Sequence, residues 1–261
     1  MHAAGDGPAI TLLSAAWPSL RPHLVPFRAE SLDRDPLWRM LKLGLPIGGQ
    51  MFLEFAVFGL IALLMGWLGT VPMAGHQVAI NLASLTFMVP LGVAGATAVL
   101  VGNAVGRTDV AAAGRAARTA LASGAVFMCS TALVFLTVPR GLARLYTGDP
   151  RVLSVAVALI PIAGVFQVFD GLQAVGAGVL RGLGDTRAPM VINVLGFWVI
   201  GLPVSIVLGF DREMGPVGLW WGFVAGLAAV AVFLLFRIRY RLRRGVRRVV
   251  IDRYPASSGS P

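Results

Sequence analysis

Residues 44–68 read GLPIGGQMFLEFAVFGLIALLMGWL, with one charged side chain, Glu54, near the middle. At about 1.5 Å per residue, a helix of this length crosses a ~30 Å hydrocarbon core. Five more stretches read the same way, at roughly 77–101, 119–138, 152–180, 189–210 and 216–236. The expected fold is all-α, a polytopic membrane protein with six transmembrane helices. Composition agrees: 57% of residues are hydrophobic, only 13% are charged, and mean hydropathy is +0.79. A soluble domain is usually about a quarter charged. The single cysteine, Cys129, lies in an apolar run and cannot form an intrachain disulfide, so it leaves the redox compartment open.

The basic residues punctuate the ends of the apolar stretches. Six spans put both termini on one side, and that side collects 18 of the 22 Lys and Arg residues. The other side holds Arg140, Arg144, Arg151 and Arg212. This asymmetry places both termini in the cytoplasm, with the chain in the cytoplasmic (inner) membrane. A net charge of +10 raises the question of nucleic acid, but the basic residues form topology signals rather than a binding face. The arginines after residue 236 read as a stop signal that also meets lipid headgroups. Residues 1–36 read as an irregular cytoplasmic lead-in, neither signal peptide nor span, since the apolar run Ala9–Trp17 is short and no basic n-region precedes it. The expected organisation is that lead-in, a membrane bundle over 37–244, and a basic cytoplasmic tail over 245–261.

Of the twelve Asp and Glu residues, only Glu54 and Asp170 lie deep within apolar stretches. A carboxylate in hydrocarbon costs a few kcal/mol at least, which marks such residues as functional. Counted from Lys42 and from Arg181, the two acids sit about 18 and 16 Å along antiparallel helices, so they share a depth near mid-membrane. Gln50 precedes Glu54 by one turn and Gln167 precedes Asp170 by about one turn, which gives each acid a polar neighbour on its own helical face. Two carboxylates in one cavity bring a proton, Na⁺ and an organic cation into competition for a single site. That competition is the minimum requirement of an antiporter. The plainer alternative is that each acid is protonated and serves as packing glue.

Pro46, Pro90, Pro161 and Pro203 fall within spans, where each frees a carbonyl and can bend its helix. Gly44-x-x-x-Gly48 and Gly218-x-x-x-Gly222-x-x-x-Gly226 offer small faces for close helix contact. His76 and Asn81 flank the start of the second stretch, and His76 reads as a hydrogen-bonded interfacial anchor.

Several of these segments resemble one family. Lys42–Phe58 (KLGLPIGGQMFLEFAVF) is similar to the opening of the second lobe of multidrug and toxic compound extrusion (MATE) transporters of the NorM-like branch. Ala74–Leu82 (AGHQVAINL), Phe87–Pro90 and Val101–Gly106 resemble the next helix and its turn. Phe166–Asp170, Leu180–Gly182 and Gly184–Thr186 resemble the fourth helix and the loop after it. The resemblance covers about 36–244. It implies one six-helix lobe of a transporter that exports organic cations by exchange with H⁺ or Na⁺. It also implies a coupling site at Glu54 and Asp170, which would be the ligands of any Na⁺. A tyrosine that contributes in that branch is replaced here by Phe166, which has no side-chain oxygen. Phe58, Phe166, Phe169, Gln50, Gln167 and Asn81 are candidates for the cavity lining. Some eukaryotic members resemble this chain near Asn81 but carry a Glu there.

Only one lobe is legible, so a second six-helix lobe, from another copy or a separate chain, is expected as a partner beside the lipid bilayer. The alternative is a non-transporting bundle that pairs with or modulates another transporter half, or an inactive truncated product. A third reading, intramembrane aspartyl proteolysis, rests on Gly182-Leu183-Gly184-Asp185. There Asp185 lies between Arg181 and Arg187 in a loop, away from a second buried acid. No zinc-ligand cluster, P-loop, Rossmann fingerprint or nucleophile elbow occurs. The chain therefore reads as no enzyme, with no cofactor beyond a coupling ion.

Overall fold

The computed structural model describes residues 34–244, and among them the regular structure is helical throughout. The chain divides between Leu43 and Gly44. Of the first unit only the opening of a helix is described, where the Lys42 ammonium sits 5.6 Å from the centre of the Trp38 ring. The lead-in before Arg34 and the tail after Arg244 lie outside the described residues.

The helices are α1 (Arg34–Trp67), α2 (Thr70–Gly106), α3 (Val110–Thr137), the short α4 (Pro139–Arg144), α5 (Pro150–Gly182), α6 (Arg187–Asp211) and α7 (Gly215–Arg243). All but α4 are long and apolar enough to cross a membrane, the first over Met40–Trp67. The six expected spans are therefore present, and most helices outrun their apolar stretches. α3 begins nine residues before residue 119, because polar and basic residues such as Arg115 and Arg118 continue the same backbone hydrogen bonding.

Local chemistry sets the ends. Gly69 turns the chain between α1 and α2 at φ 124°, a conformation closed to other residues. Asp109 caps α3 by accepting from Ala112 N at 2.8 Å, and Asp149 caps α5 by accepting from Arg151 N at 2.8 Å, with Pro150 in the first turn. α6 is not uniform. Val194–Gly201 and Val207–Asp211 are π-helical, separated by a short α segment that contains Pro203. A wide turn on either side of a proline accommodates the hydrogen bond the ring cannot donate.

α5 is the hub, packed on α2, α3, α4 and α7. α6 and α7 meet through glycines: a Cβ on Gly226 would come 2.6 Å from Gly201 Cα, and one on Gly222 would overlap the backbone of Ser205. The Gly218–Gly226 face is thus a close helix contact, as the spacing suggested. The Gly44–Gly48 face meets nothing within 4 Å. Phe58, Phe166, Phe197, Phe223 and Trp220 form an aromatic core with ring centres 4.6–6.4 Å apart. His76 joins it, 5.6 Å from Trp220. Its Nδ1 is buried without a partner, so the ring is packed against an aromatic face rather than anchored through that nitrogen.

Candidate functional site

Three helices deliver polar side chains to the interior of the bundle. α1 supplies Gln50 and Glu54, α5 supplies Gln167, Asp170 and Gln173, and α6 supplies Asn193, with Arg181 at the end of α5. Glu54 lies 14 residues after Met40, and Asp170 lies 12 before Gly182, about 21 and 18 Å from those span ends. The two acids are therefore near the same level.

Glu54 Oε2 accepts two hydrogen bonds, from Gln173 Nε2 and from Asn193 Nδ2, each 3.1 Å long. Gln50, one turn earlier, lies beside the same carboxylate. Trp198 Nε1 donates to Leu53 O at 3.3 Å and ties α6 to the backbone next to Glu54. Asp170 is 6% exposed and lies near the level of Glu54. Two like charges in a medium of low dielectric repel strongly, and a proton or a cation placed between them removes the repulsion. Arg181 lies about three turns beyond Asp170 on the same helix.

The amides leave valences open. Gln173 Oε1 and Asn193 Oδ1 are buried without a hydrogen-bond partner, as are Gln167 Nε2 and Arg181 Nε. A buried polar atom left unpaired costs about 1–3 kcal/mol. Both unpaired oxygens belong to the side chains that hold Glu54. An amide presents an oxygen on one side and an NH₂ on the other. Gln173 and Asn193 can therefore donate to an ionised Glu54 or, turned over, accept from a protonated one. Oxygens of this kind, like carboxylates, are the ligands that hard cations prefer. Among the described residues no group of three His, Cys, Asp or Glu could hold a metal ion.

The other candidates are distributed differently. Gln167 is fully buried, and its Oε1 accepts from Thr86 Oγ1 at 2.6 Å, which links α5 to α2. Phe166 and Phe58 are in the aromatic core, and Phe169 packs against it. Asn81 is on the exposed side of α2, donating to Gln77 O at 2.8 Å. Asp185 is held by Arg237, at 2.8 and 2.9 Å, and by Arg241 at 3.4 Å, not beside another carboxylate. The protease reading requires a buried acid pair there.

Gln173, Asn193, Arg181 and Thr86 were not among the sequence candidates. Gln173 follows Asp170 by three positions and so shares its face. Asn193 is the lone amide of an apolar stretch, a visible signal. In sequence Arg181 reads as a topology charge and a depth marker for Asp170.

The model of the MatE family matches residues 46–207. Among solved structures, the eukaryotic MATE transporter AtDTX14 is similar at TM-score 0.78 and 22% identity, over 90% of this chain and 54% of that one. An outward-facing multidrug resistance MATE family transporter of the MOP superfamily gives 0.74 and 20%, over 90% and 54%. A MOP superfamily transporter from Pyrococcus furiosus, described as having a binding pocket of reverse polarity, gives 0.71 and 18%, over 85% and 49%. The chain spans about half the length of these transporters, and at such identities the likeness is one of fold.

Proposed function

The chain belongs to the MatE family, whose members are transporters and not enzymes, and from that premise we propose that it exports organic cations in exchange for H⁺ or Na⁺. It works as one six-helix lobe of an extrusion transporter in the cytoplasmic membrane, with both termini in the cytoplasm. The observation that carries this reading is the pair of acids at one level of the bundle, Glu54 and buried Asp170, with Glu54 held by two amides whose oxygens are unpaired. Either coupling ion fits. A proton on Glu54 is accepted by a turned amide, and Na⁺ finds the two carboxylates with Gln173 Oε1 and Asn193 Oδ1, although Phe166 adds no oxygen. Binding of the coupling ion and of a cationic substrate is then mutually exclusive, which is the exchange step.

The second lobe is supplied by the same or another chain. It docks on α1, where Leu45, Phe52 and Phe55 are more than 70% exposed and Gly44 and Gly48 leave room for close approach. The same exposed face supports the second reading, a bundle that pairs with or modulates another transporter half without transporting by itself.

Efflux of a fluorescent organic cation from cells expressing the chain is the test, with Glu54→Gln and Asp170→Asn at equal membrane abundance. Each substitution is expected to abolish efflux and leave insertion intact. Efflux that survives both overturns the coupling role of the acids. Absence of efflux from the unsubstituted chain, restored by co-expression of a second lobe, supports the pairing reading.

A further inference from the structure

Between the start of α3 and the end of α7 the surface opens into a cleft of about 970 Å³. Both helices lean on α5 but scarcely touch each other at this end, which leaves a wedge between them. Its rim carries Arg115 and Arg118 from α3 and Arg239 and Arg243 from α7, and its wall is apolar, including Leu121 and Phe236. No acidic side chain lines it. The spacings 115/118 and 239/243 put each pair on one face of its helix.

The contrast within α7 is informative. Arg237 and Arg241 occupy another face and share a counter-ion, Asp185. Arg239 and Arg243, two residues on in each case, make no ion pair among the described residues, and neither do Arg115 and Arg118. Four exposed guanidinium groups thus gather around one cleft, with no carboxylate paired to any of them among the described residues. The cleft lies where the apolar stretch of α7 gives way to its basic last turns, the kind of boundary that sits among lipid headgroups in a spanning helix. Its occupant must be anionic at the rim and apolar along the wall, and the leaflet at this end of the bundle offers such a molecule in quantity.

We infer that the α3–α7 cleft binds an anionic glycerophospholipid, with the phosphate among Arg115, Arg118, Arg239 and Arg243 and the acyl chains along Leu121 and Phe236. Guanidinium groups suit this role because their forked donors match phosphate oxygens and stay charged at any physiological pH. Basic pockets between transmembrane helices bind acidic headgroups in this manner. A lipid lodged here wedges two helices that both pack on the helix of Asp170.

The test is native mass spectrometry of the full chain, delipidated in detergent and titrated with palmitoyl-oleoyl phosphatidylglycerol or with phosphatidylcholine of the same chains. The unsubstituted protein is expected to retain phosphatidylglycerol about tenfold better. The combined substitution Arg115→Gln, Arg118→Gln, Arg239→Gln and Arg243→Gln should erase that preference, whereas Arg140→Gln with Arg144→Gln, in α4 beyond the other end of α3, should keep it. Gly114 lines the cleft, and a Cβ there meets nothing within 4 Å. Gly114→Phe therefore fills the cleft with all four arginines in place, and it should lower lipid retention even if the quadruple variant fails to fold. Equal retention of the two lipids by the unsubstituted chain overturns the inference. So does wild-type preference in the quadruple variant or in Gly114→Phe. Displacement of the lipid by millimolar inorganic phosphate would assign the cleft to free phosphate and overturn the lipid assignment.

Discussion

Replacing Gly222 by Ala tests how α6 and α7 support the site. The added Cβ would overlap the backbone nitrogen and Cα of Ser205, atoms that cannot rotate aside as a side chain could. Overpacking costs about 1–3 kcal/mol, and an immovable obstacle puts this case at the upper end. Ser205 Oγ also donates to Leu219 O at 3.0 Å, and forcing the helices apart gives up about 1 kcal/mol more. Alanine's better helix propensity returns roughly 1 kcal/mol. The net loss is about 2–3 kcal/mol, or a fall of about 4–12 °C in the unfolding midpoint at about 2–4 °C per kcal/mol. Gly48→Ala is the matched control, since its Cβ meets nothing within 4 Å. It gains the propensity without the clash, so its midpoint should hold or rise by a few degrees. Thermal unfolding of the detergent-purified chain, followed by the folded fraction on size exclusion, reads both. Equal shifts for the two variants, or a stable Gly222→Ala, would show that the glycine face of α7 does not meet α6 at Ser205.

Three further outcomes are expected. Asn193→Leu removes one of the two donors on Glu54 and should reduce efflux at least tenfold with little change in abundance; normal efflux would remove Asn193 from the coupling site. Asp185→Asn breaks a pair that is partly exposed at Arg237, so it should cost about 1 kcal/mol and a few degrees of unfolding temperature. A loss of similar size in high salt would contradict the ion-pair origin. In reconstituted vesicles, cation uptake should follow an imposed pH gradient or an imposed Na⁺ gradient. Uptake driven by neither would rule out exchange.

The six spans were readable because hydrocarbon leaves little choice: a backbone there must bond to itself, so each long apolar run becomes a helix. Their ends were less readable. Helix hydrogen bonding does not stop where apolar side chains do, and Arg115, Arg118 and the arginines of α7 continue it. Nor could sequence reveal the interruption of α6 by π turns. Faces were the hardest part, since a helix that is apolar all round carries no stripe to orient it. Glu54 and Asp170 stood out because a charge in hydrocarbon is costly wherever it points. Asn193 was visible as a lone amide, but its role and that of Gln173 were not, because what an amide does depends on what it faces.

The arginines show why a sum over one side of the membrane says so little about a site. Orientation is additive: each basic residue contributes whatever its helix face, so counting 18 against four needs no structure. Pairing is angular, since successive residues on a helix turn by about 100° and two positions point nearly opposite ways. Residues that count alike therefore separate in space. Arg237 and Arg241 close on Asp185, and Arg239 and Arg243 face the cleft. An arginine with a carboxylate partner is explained by the fold. One that gathers with others around an apolar cleft, with no acid lining it among the described residues, is open to an anion from outside the chain, and that comes into view only once the helix faces are fixed.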